Sequence, residues 1–374
     1  MDLRMLKIQN ANSRQVFFSE CQLPRSNQTY DVVTREMELE KPRIFIFGWP
    51  GFLGGADTKL AHLLILLYEH CDITVIPNEN RHLHNKTWTK GLDKLGVKYT
   101  LIDRLPARLS GFALAMSNQC FFTHRIAHRA KEKGLKIIWS SEMMWHHEGE
   151  LEAVKQGIID KVLYVSEFQK AALAPDYGQL PSAITGNYID PSFFPFKERR
   201  NQTFAIGRLS RAAPEKYPED FPVFYESLEV PDTRFRVMAW DDKLTHKYRW
   251  HKFDQRWDLL KPERESQVDF LHSLDLFVYP LGHNFKESWG RSTVEAMLTG
   301  CIPLVPNGHQ FHTLLAHGES GFICSDFLEY KHHAHELYRN YPLRRQIAIQ
   351  CREHAANRLC NKDEHLSMWL KVFK

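Results

Sequence analysis

From Arg43 onward, short apolar runs alternate with helical stretches, and near residue 202 this alternation breaks off and begins again. The first set of runs is Arg43–Phe47 (RIFIF), Asp72–Ile76, Val97–Ile102, Phe112–Met116, Lys136–Trp139 and Val162–Val165. Runs of this length that are apolar at consecutive positions suit strands covered on both faces of a parallel sheet. Helical stretches at Asp57–Glu69, Trp88–Leu95 and His124–Glu132 lie between them. The second set is Thr203–Ile206, Phe235–Ala239, Asp275–Tyr279 and Ile302–Val305, with helices near Glu219–Leu228 and at Ser292–Leu298. Alternation of this kind predicts two doubly wound α/β domains. They join at ITGNYIDPSFFPFKERR, which has two prolines and little periodicity, so the expected domains are 1–190 and 191–359. The ending reads as helices at Leu343–Leu359 and Lys362–Phe373; residues 1–41 show no clear period beyond a short edge-strand candidate, Gln15–Phe18.

Length agrees with this division. The chain has 374 residues, and one hydrophobic core rarely grows past roughly 250–300. Apolar residues make up 43% and charged residues 25%, which excludes a disordered or fibrous class. A formal charge of +4 is too small to mark a nucleic-acid binder; it suits phosphorylated ligands and an average surface equally. Seven cysteines, an odd number with no Cys-x-x-Cys, argue against a disulfide framework or zinc site and fit a reducing compartment. The first residues carry no apolar signal core. The longest greasy stretch, around Leu60–Tyr68, is far short of the ~20 residues of a membrane span. The expectation is a cytoplasmic protein, with peripheral contact at the inner membrane face left open.

Three motifs sit at strand-to-helix transitions. Gly54–Gly55 lies between the first strand and the first helix, where glycine permits close backbone approach to a ligand and the helix start favours anions; a plain turn explains it equally well. Gly207-Arg208-Leu209 follows a strand, with Lys216 a few residues on. Ligands bind at strand C-terminal ends in open parallel sheets, and an Arg with a Lys there suits a diphosphate; the alternative is a solvated basic loop, which Arg211 shares. The third motif runs from Glu287-Ser288-Trp289-Gly290-Arg291 to Glu295 and Pro303. Full helical spacing sets the two carboxylates about 12 Å apart at ~1.5 Å per residue. A glycosidase pair needs roughly 5–10 Å, so these read as two hydrogen-bonding groups for one long polyol ligand. His146-His147-Glu148 and His332-His333-Ala-His335 lack HExxH spacing, and no metal is expected at either. Trp145, Trp240, Trp250 and Trp289 are candidates for stacking on sugar or base, with core packing as the ordinary alternative.

These stretches resemble the family-four retaining glycosyltransferases of GT-B fold (glycosyl transferases group 1). The marks appear in order as GGADTKL, VLYVSEFQK, GNYIDPSFF, GRLSRAAPEK, ESWGRSTVEAML-TGCIPLV and HGESGFI, followed by a helical tail. The resemblance implies two Rossmann-like domains facing across a cleft, with the last helix, about 360–374, packing back onto the first. It implies that Arg208 and Lys216 bind a donor diphosphate, that Glu287 touches the transferred sugar and that Glu295 touches the nucleotide ribose. Gly54, Gly55, Gly207, Ser288, Trp289 and Gly290 join the donor side. The acceptor-side histidine of the family has three claimants here, Glu142, His146 and His147. Against the commoner form, three extra residues lie between Arg208 and Lys216, and Trp240-Asp241-Asp242 stands where a glycine-containing loop is usual. The implied partners are a nucleotide-sugar donor and an unknown hydroxyl acceptor, with no cofactor and no nucleic acid. The rival from another class is a GT-B shell that binds a nucleotide or polyanion without turnover. A nicotinamide-dependent oxidoreductase is a third reading, disfavoured because GxGxxG is missing.

Overall fold

The structure, a computed structural model, describes residues 41–51, 55–199, 203–262 and 264–374. The Gln15–Phe18 candidate and Gly54 lie outside the described residues. Seven parallel strands form the first sheet: β1 Arg43–Phe47, β2 Asp72–Ile76, β3 Lys98–Tyr99, β4 Phe112–Met116, β5 Lys136–Ser140, β6 Lys161–Tyr164 and β7 Ser182–Ile184. Six form the second: β8 Phe204–Leu209, β9 Thr233–Met238, β10 Trp257–Leu260, β11 Leu276–Val278, β12 Ile302–Pro306 and β13 Phe322–Cys324.

The sheet orders are β3-β2-β1-β4-β5-β6-β7 and β10-β9-β8-β11-β12-β13. Both reverse direction between their first and fourth strands, so each half has a crevice at its strand C-terminal ends. Burial follows from the sequence runs. In β1, Ile44 and Ile46 enter one core while Phe45 and Phe47 enter the core on the opposite face. A strand covered on both sides has no polar face to alternate with. The architecture is two Rossmann-like α/β domains, the GT-B arrangement.

The halves also touch. The final helix, Lys362–Val372, places Trp369, Val372 and Phe373 in the first sheet's core beside Leu60, Leu63 and Leu64. Lys161 Nζ donates to the Val372 carbonyl at 2.8 Å. Strands β7, β10 and β13 escape the sequence reading: each has only three or four residues, and Trp257–Leu260 carries a charged Asp258 in its middle. Trp369 is fully buried, so Trp369→Ala should destabilise the first domain by about 3–5 kcal/mol. Urea unfolding followed by circular dichroism measures this; an unshifted first transition would contradict it.

Candidate functional site

At the C-terminal edge of the second sheet, Arg208 lies inside strand β8 rather than after it, and its side chain is fully buried. Its guanidinium donates to Ser210 Oγ at 3.2 Å, to the Lys216 carbonyl at 2.8 Å and to the Pro280 carbonyl. It also packs on two rings, with its central carbon 3.9 Å from the Tyr217 centroid and 4.3 Å from that of Tyr279. The group expected to grip a diphosphate therefore grips the protein in this structure. Gly207 explains part of the geometry: a Cβ there would stand 2.4 Å from the Arg236 carbonyl and 2.5 Å from Leu274 Cδ2. Its residue type answers to strand packing.

Lys216 ends the loop that Arg208 holds. Its ammonium sits 3.2 Å from Glu287 Oε2 and 4.8 Å from the Phe285 ring centroid. Burial pulls the Lys216 pKa down, but the Glu287 carboxylate, with help from Tyr279, outweighs burial and leaves it raised. Tyr279 donates to the same carboxylate oxygen at 2.9 Å. Burial first, and Glu287 second, raise the Tyr279 phenol, which keeps it a donor. Arg208, Lys216, Tyr279 and Glu287 thus form one network drawn from strand β8 and the segments that follow β8 and β11.

Glu287 precedes the helix Arg291–Thr299. Gly290 caps that helix at φ +96, with no side-chain cap. Glu295 is buried on it, accepting from Arg291 Nε at 2.8 Å and from Gln267 Nε2. Burial raises the Glu295 carboxyl against the pull of Arg291. Arg291, to which the sequence reading assigns no binding role, is the more informative residue: both its terminal nitrogens are buried without a hydrogen-bond partner. Orphaned donors of this kind are costly and call for a ligand or water.

The first domain meets this loop at the seam. Ser288 Oγ donates to the Glu142 carbonyl at 2.8 Å, and Ser166 Oγ donates to the Ser288 carbonyl at 2.6 Å. Trp289 is buried beside Gly186. Gly55 opens the helix Gly55–Leu67 with nothing near its missing Cβ.

The three acceptor-side candidates do not converge. Glu142 Oε1 pairs with buried Lys59 at 2.7 Å and accepts from Ser140 at 2.8 Å. His146 instead bridges Asp176 at 2.8 Å and Glu150 at 3.5 Å. His147 sets its ring edge against Trp139, and burial lowers its pKa. These two histidines are tied to the fully buried Glu150, which also accepts from Trp139 Nε1 and the His147 amide at 2.8 Å each.

Of the tryptophans, Trp240 and Trp289 are buried, while Trp145 and Trp250 are exposed. Asp241 caps the helix Asp242–Lys247, accepting from Lys243 N at 2.9 Å and Leu244 N at 3.1 Å. His332, His333 and Glu336 bring ligand atoms within 4.8 Å of one another on the helix Phe327–Arg339. Among the described residues no helix is long and apolar enough to cross a membrane.

Removing the Arg208 side chain should strand two loop carbonyls and leave a cavity, so Arg208→Ala is expected to cost about 3–5 kcal/mol. Arg211→Ala, at an exposed neighbour, should stay within about 0.5 kcal/mol. Thermal denaturation compares them, and equal melting temperatures would refute the structural role of Arg208.

No family model matches the chain, and no curated protein sequence matches it. Solved structures do resemble it in fold. Anabaena HepE, in a complex with UDP and glucose, superposes with a TM-score of 0.67 at 14% identity, covering 88% of this chain and 99% of that one. TarM gives 0.71 at 10% identity, over 90% and 99%. A glycosyltransferase from Rickettsia africae gives 0.68 at 12% identity, over 89% and 98%. The chain is thus similar in fold to GT-B glycosyltransferases along nearly its whole described length.

Proposed function

We propose that this protein is a retaining glycosyltransferase that moves a sugar from a nucleoside-diphosphate sugar to an acceptor hydroxyl, in glycan or glycoconjugate biosynthesis. The observation that carries the reading is the grouping of Lys216, Glu287, Arg291 and Glu295 on the loops and helix at the C-terminal edge of the second sheet. HepE, a similar fold, has been crystallised with UDP-glucose. In the reaction the acceptor oxygen bonds to the anomeric carbon, the bond from that carbon to the diphosphate oxygen breaks, and the acceptor proton passes to the leaving oxygen. The products are a glycoside and a nucleoside diphosphate.

The residues divide the work. Lys216 neutralises charge that builds on the diphosphate, worth a few kcal/mol in a preorganised site. Arg208 acts as a positioning residue, holding the loop that carries Lys216. Glu287 faces the transferred sugar, where positive character grows as the bond breaks. Glu295 holds the ribose, and Arg291 brings two unspent donors to the same side of the donor. The reaction takes place without a divalent metal or other cofactor, the cationic side chains serving in its place. In this reading the sites divide between a first domain of 1–190 and a second of 191–359 in a cytoplasmic protein.

A second reading has an observation of its own. Lys216 is already paired with Glu287, and Arg208 already spends its donors on Ser210 and two carbonyls, an arrangement also expected of a shell that binds a nucleotide without turnover. Incubation with a panel of nucleotide-sugars, assayed for free nucleoside diphosphate with and without EDTA, separates the two. Release that survives EDTA is expected; binding by calorimetry without release would favour the binder, and loss restored by magnesium or manganese would overturn metal independence.

The carboxylates should fail in different ways. Glu295→Gln should raise donor KM and weaken nucleoside diphosphate binding, because a ribose contact changes little between ground and transition state. Glu287→Gln should lower kcat by about 10²-fold and leave that binding intact. Arg291→Ala should weaken it by about tenfold, the scale of one charge-assisted hydrogen bond. Titration calorimetry with the nucleoside diphosphate decides; equal weakening by the two glutamate variants would remove the division of roles.

A further inference from the structure

The first domain has a cleft of about 470 Å³ at the C-terminal ends of β1, β2 and β4. It occupies the crevice beside the switch between β1 and β4, where open parallel sheets take ligands. Its volume falls in the roughly 300–1,000 Å³ range of small-molecule sites. None of Glu142, His146 and His147 lines it.

The chemistry of the walls is specific. Among the described residues the lining contains no lysine and no arginine. Asn78 and Asn118 form a reciprocal amide pair, at 3.0 and 2.7 Å, and Asn118 also donates to the Phe47 carbonyl at 3.2 Å. The Asn78 amide keeps a further N–H and lone pair, so it can both donate to and accept from a hydroxyl. Trp49 and Trp88 line the cleft from the core of the first domain. Trp49 Nε1 is buried without a hydrogen-bond partner, and His82 lies parallel to the Trp49 ring at 6.0 Å.

Charge argues the same way. The start of the helix Gly55–Leu67 opens on this cleft and would by itself favour an anion. Asp57, in the first turn of that helix, places a carboxylate there instead. Its surroundings desolvate that carboxyl and push it up to about 6. Burial lowers the His82 pKa against the pull of Glu79, and the Arg81 charge lowers it further, so the imidazole is a poor counter-ion at neutral pH. The cleft also adjoins the donor loop: Ser117, in its wall, accepts from the Glu142 amide at 3.1 Å, and the Glu142 carbonyl accepts from Ser288 at 2.8 Å. One residue separates the cleft from the segment that follows Glu287.

We propose that this cleft receives the acceptor, and that the acceptor presents an uncharged sugar ring there, not a phosphate-bearing group. The inference rests on the glycosyl-transfer reading and names the substrate class it leaves open. The Asn78–Asn118 pair and Asp57 bind hydroxyls that do not react. The reacting hydroxyl points toward Glu287 and gives its proton to the leaving phosphate oxygen, so the cleft need not supply a base.

The test uses the full chain with the donor found by the nucleotide-sugar panel. Methyl glycosides of glucose, galactose, mannose and N-acetylglucosamine are compared with glucose 6-phosphate and glycerol 3-phosphate as accelerators of nucleoside diphosphate release. At least one neutral glycoside should raise release about tenfold above donor hydrolysis, with the phosphorylated compounds ineffective. Asn118→Asp should lower kcat/KM for that glycoside about tenfold or more, while Asp57→Lys should shift preference toward phosphorylated compounds. The first unfolding transition, measured by circular dichroism on both variants, reports that the domain carrying the substitutions is folded.

Three results would overturn the proposal: phosphorylated compounds outperforming neutral ones, both variants turning over the glycoside as the parent does, or no glycoside effect at tens of millimolar in a chain that hydrolyses donor. A chain that neither binds nor releases nucleoside diphosphate would instead fail the glycosyl-transfer reading. Saturation-transfer NMR with the same glycosides would then test the cleft alone, with signal lost in Trp49→Ala supporting it and no signal in the parent chain refuting it.

Discussion

A guanidinium without access to solvent organises the donor side of this molecule. Arg208 spends its donors on Ser210, Lys216 and Pro280 and its faces on Tyr217 and Tyr279. A buried charge is tolerable only when its donors are satisfied and its surroundings are polarisable. Here the satisfaction comes from two separate loops, so burying the charge also fixes their mutual position. Lys216 and Glu287, 71 residues apart in sequence, meet at 3.2 Å because those loops are pinned. The close approach of Gly207 to Arg236 and Leu274 belongs to the same packing.

Much of the fold was readable because it follows from burial. Strands covered on both faces show as consecutive apolar residues, and RIFIF and Phe112–Met116 became β1 and β4 with their limits unchanged. Short edge strands such as β7 and β10 gave weaker signals, since partial exposure admits polar residues like Ser182 and Asp258. At the site, the sequence pointed to the loops but not to the partners of their side chains. Nothing local reveals that Arg208 lies between the rings of Tyr217 and Tyr279, or that Glu142 meets Lys59 from a helix 83 residues away. A usable signal was present for the cleft: Trp49, Asn78 and Asn118 each stand two positions beyond the end of an apolar strand. A polar or aromatic residue repeated at that offset marks the sheet edge where ligands gather.

The seam between the domains holds two ion pairs from different halves. Lys59 with Glu142 belongs to the first domain, and Arg291 with Glu295 to the second. Burial lowers the Lys59 pKa against the pull of Glu142, and the nearby Arg291 charge lowers it further. His62, fully buried in the same region, accepts from the Asp190 amide at 3.1 Å. Burial, followed by the Arg291 charge, holds its pKa well below the usual value, so it stays neutral. Two cations that repel across an interface, each tied to its own carboxylate, make the approach of the halves depend on the placement of those carboxylates.

Glu142 therefore occupies an unusual mechanical position. Its amide is bonded to Ser117 in one crevice wall, its carbonyl to Ser288 in the opposite domain, and its carboxylate to Lys59 beneath both. The amide and the carbonyl lie in successive planar peptide units hinged at one Cα, so a shift of Ser288 is taken up by the two dihedrals of this one residue or by loss of a bond. Turning about its φ also swings the side chain, and the buried ion pair with Lys59 resists that turn. The two crevices thus meet at a joint one residue long whose freedom is cut by three separate anchors.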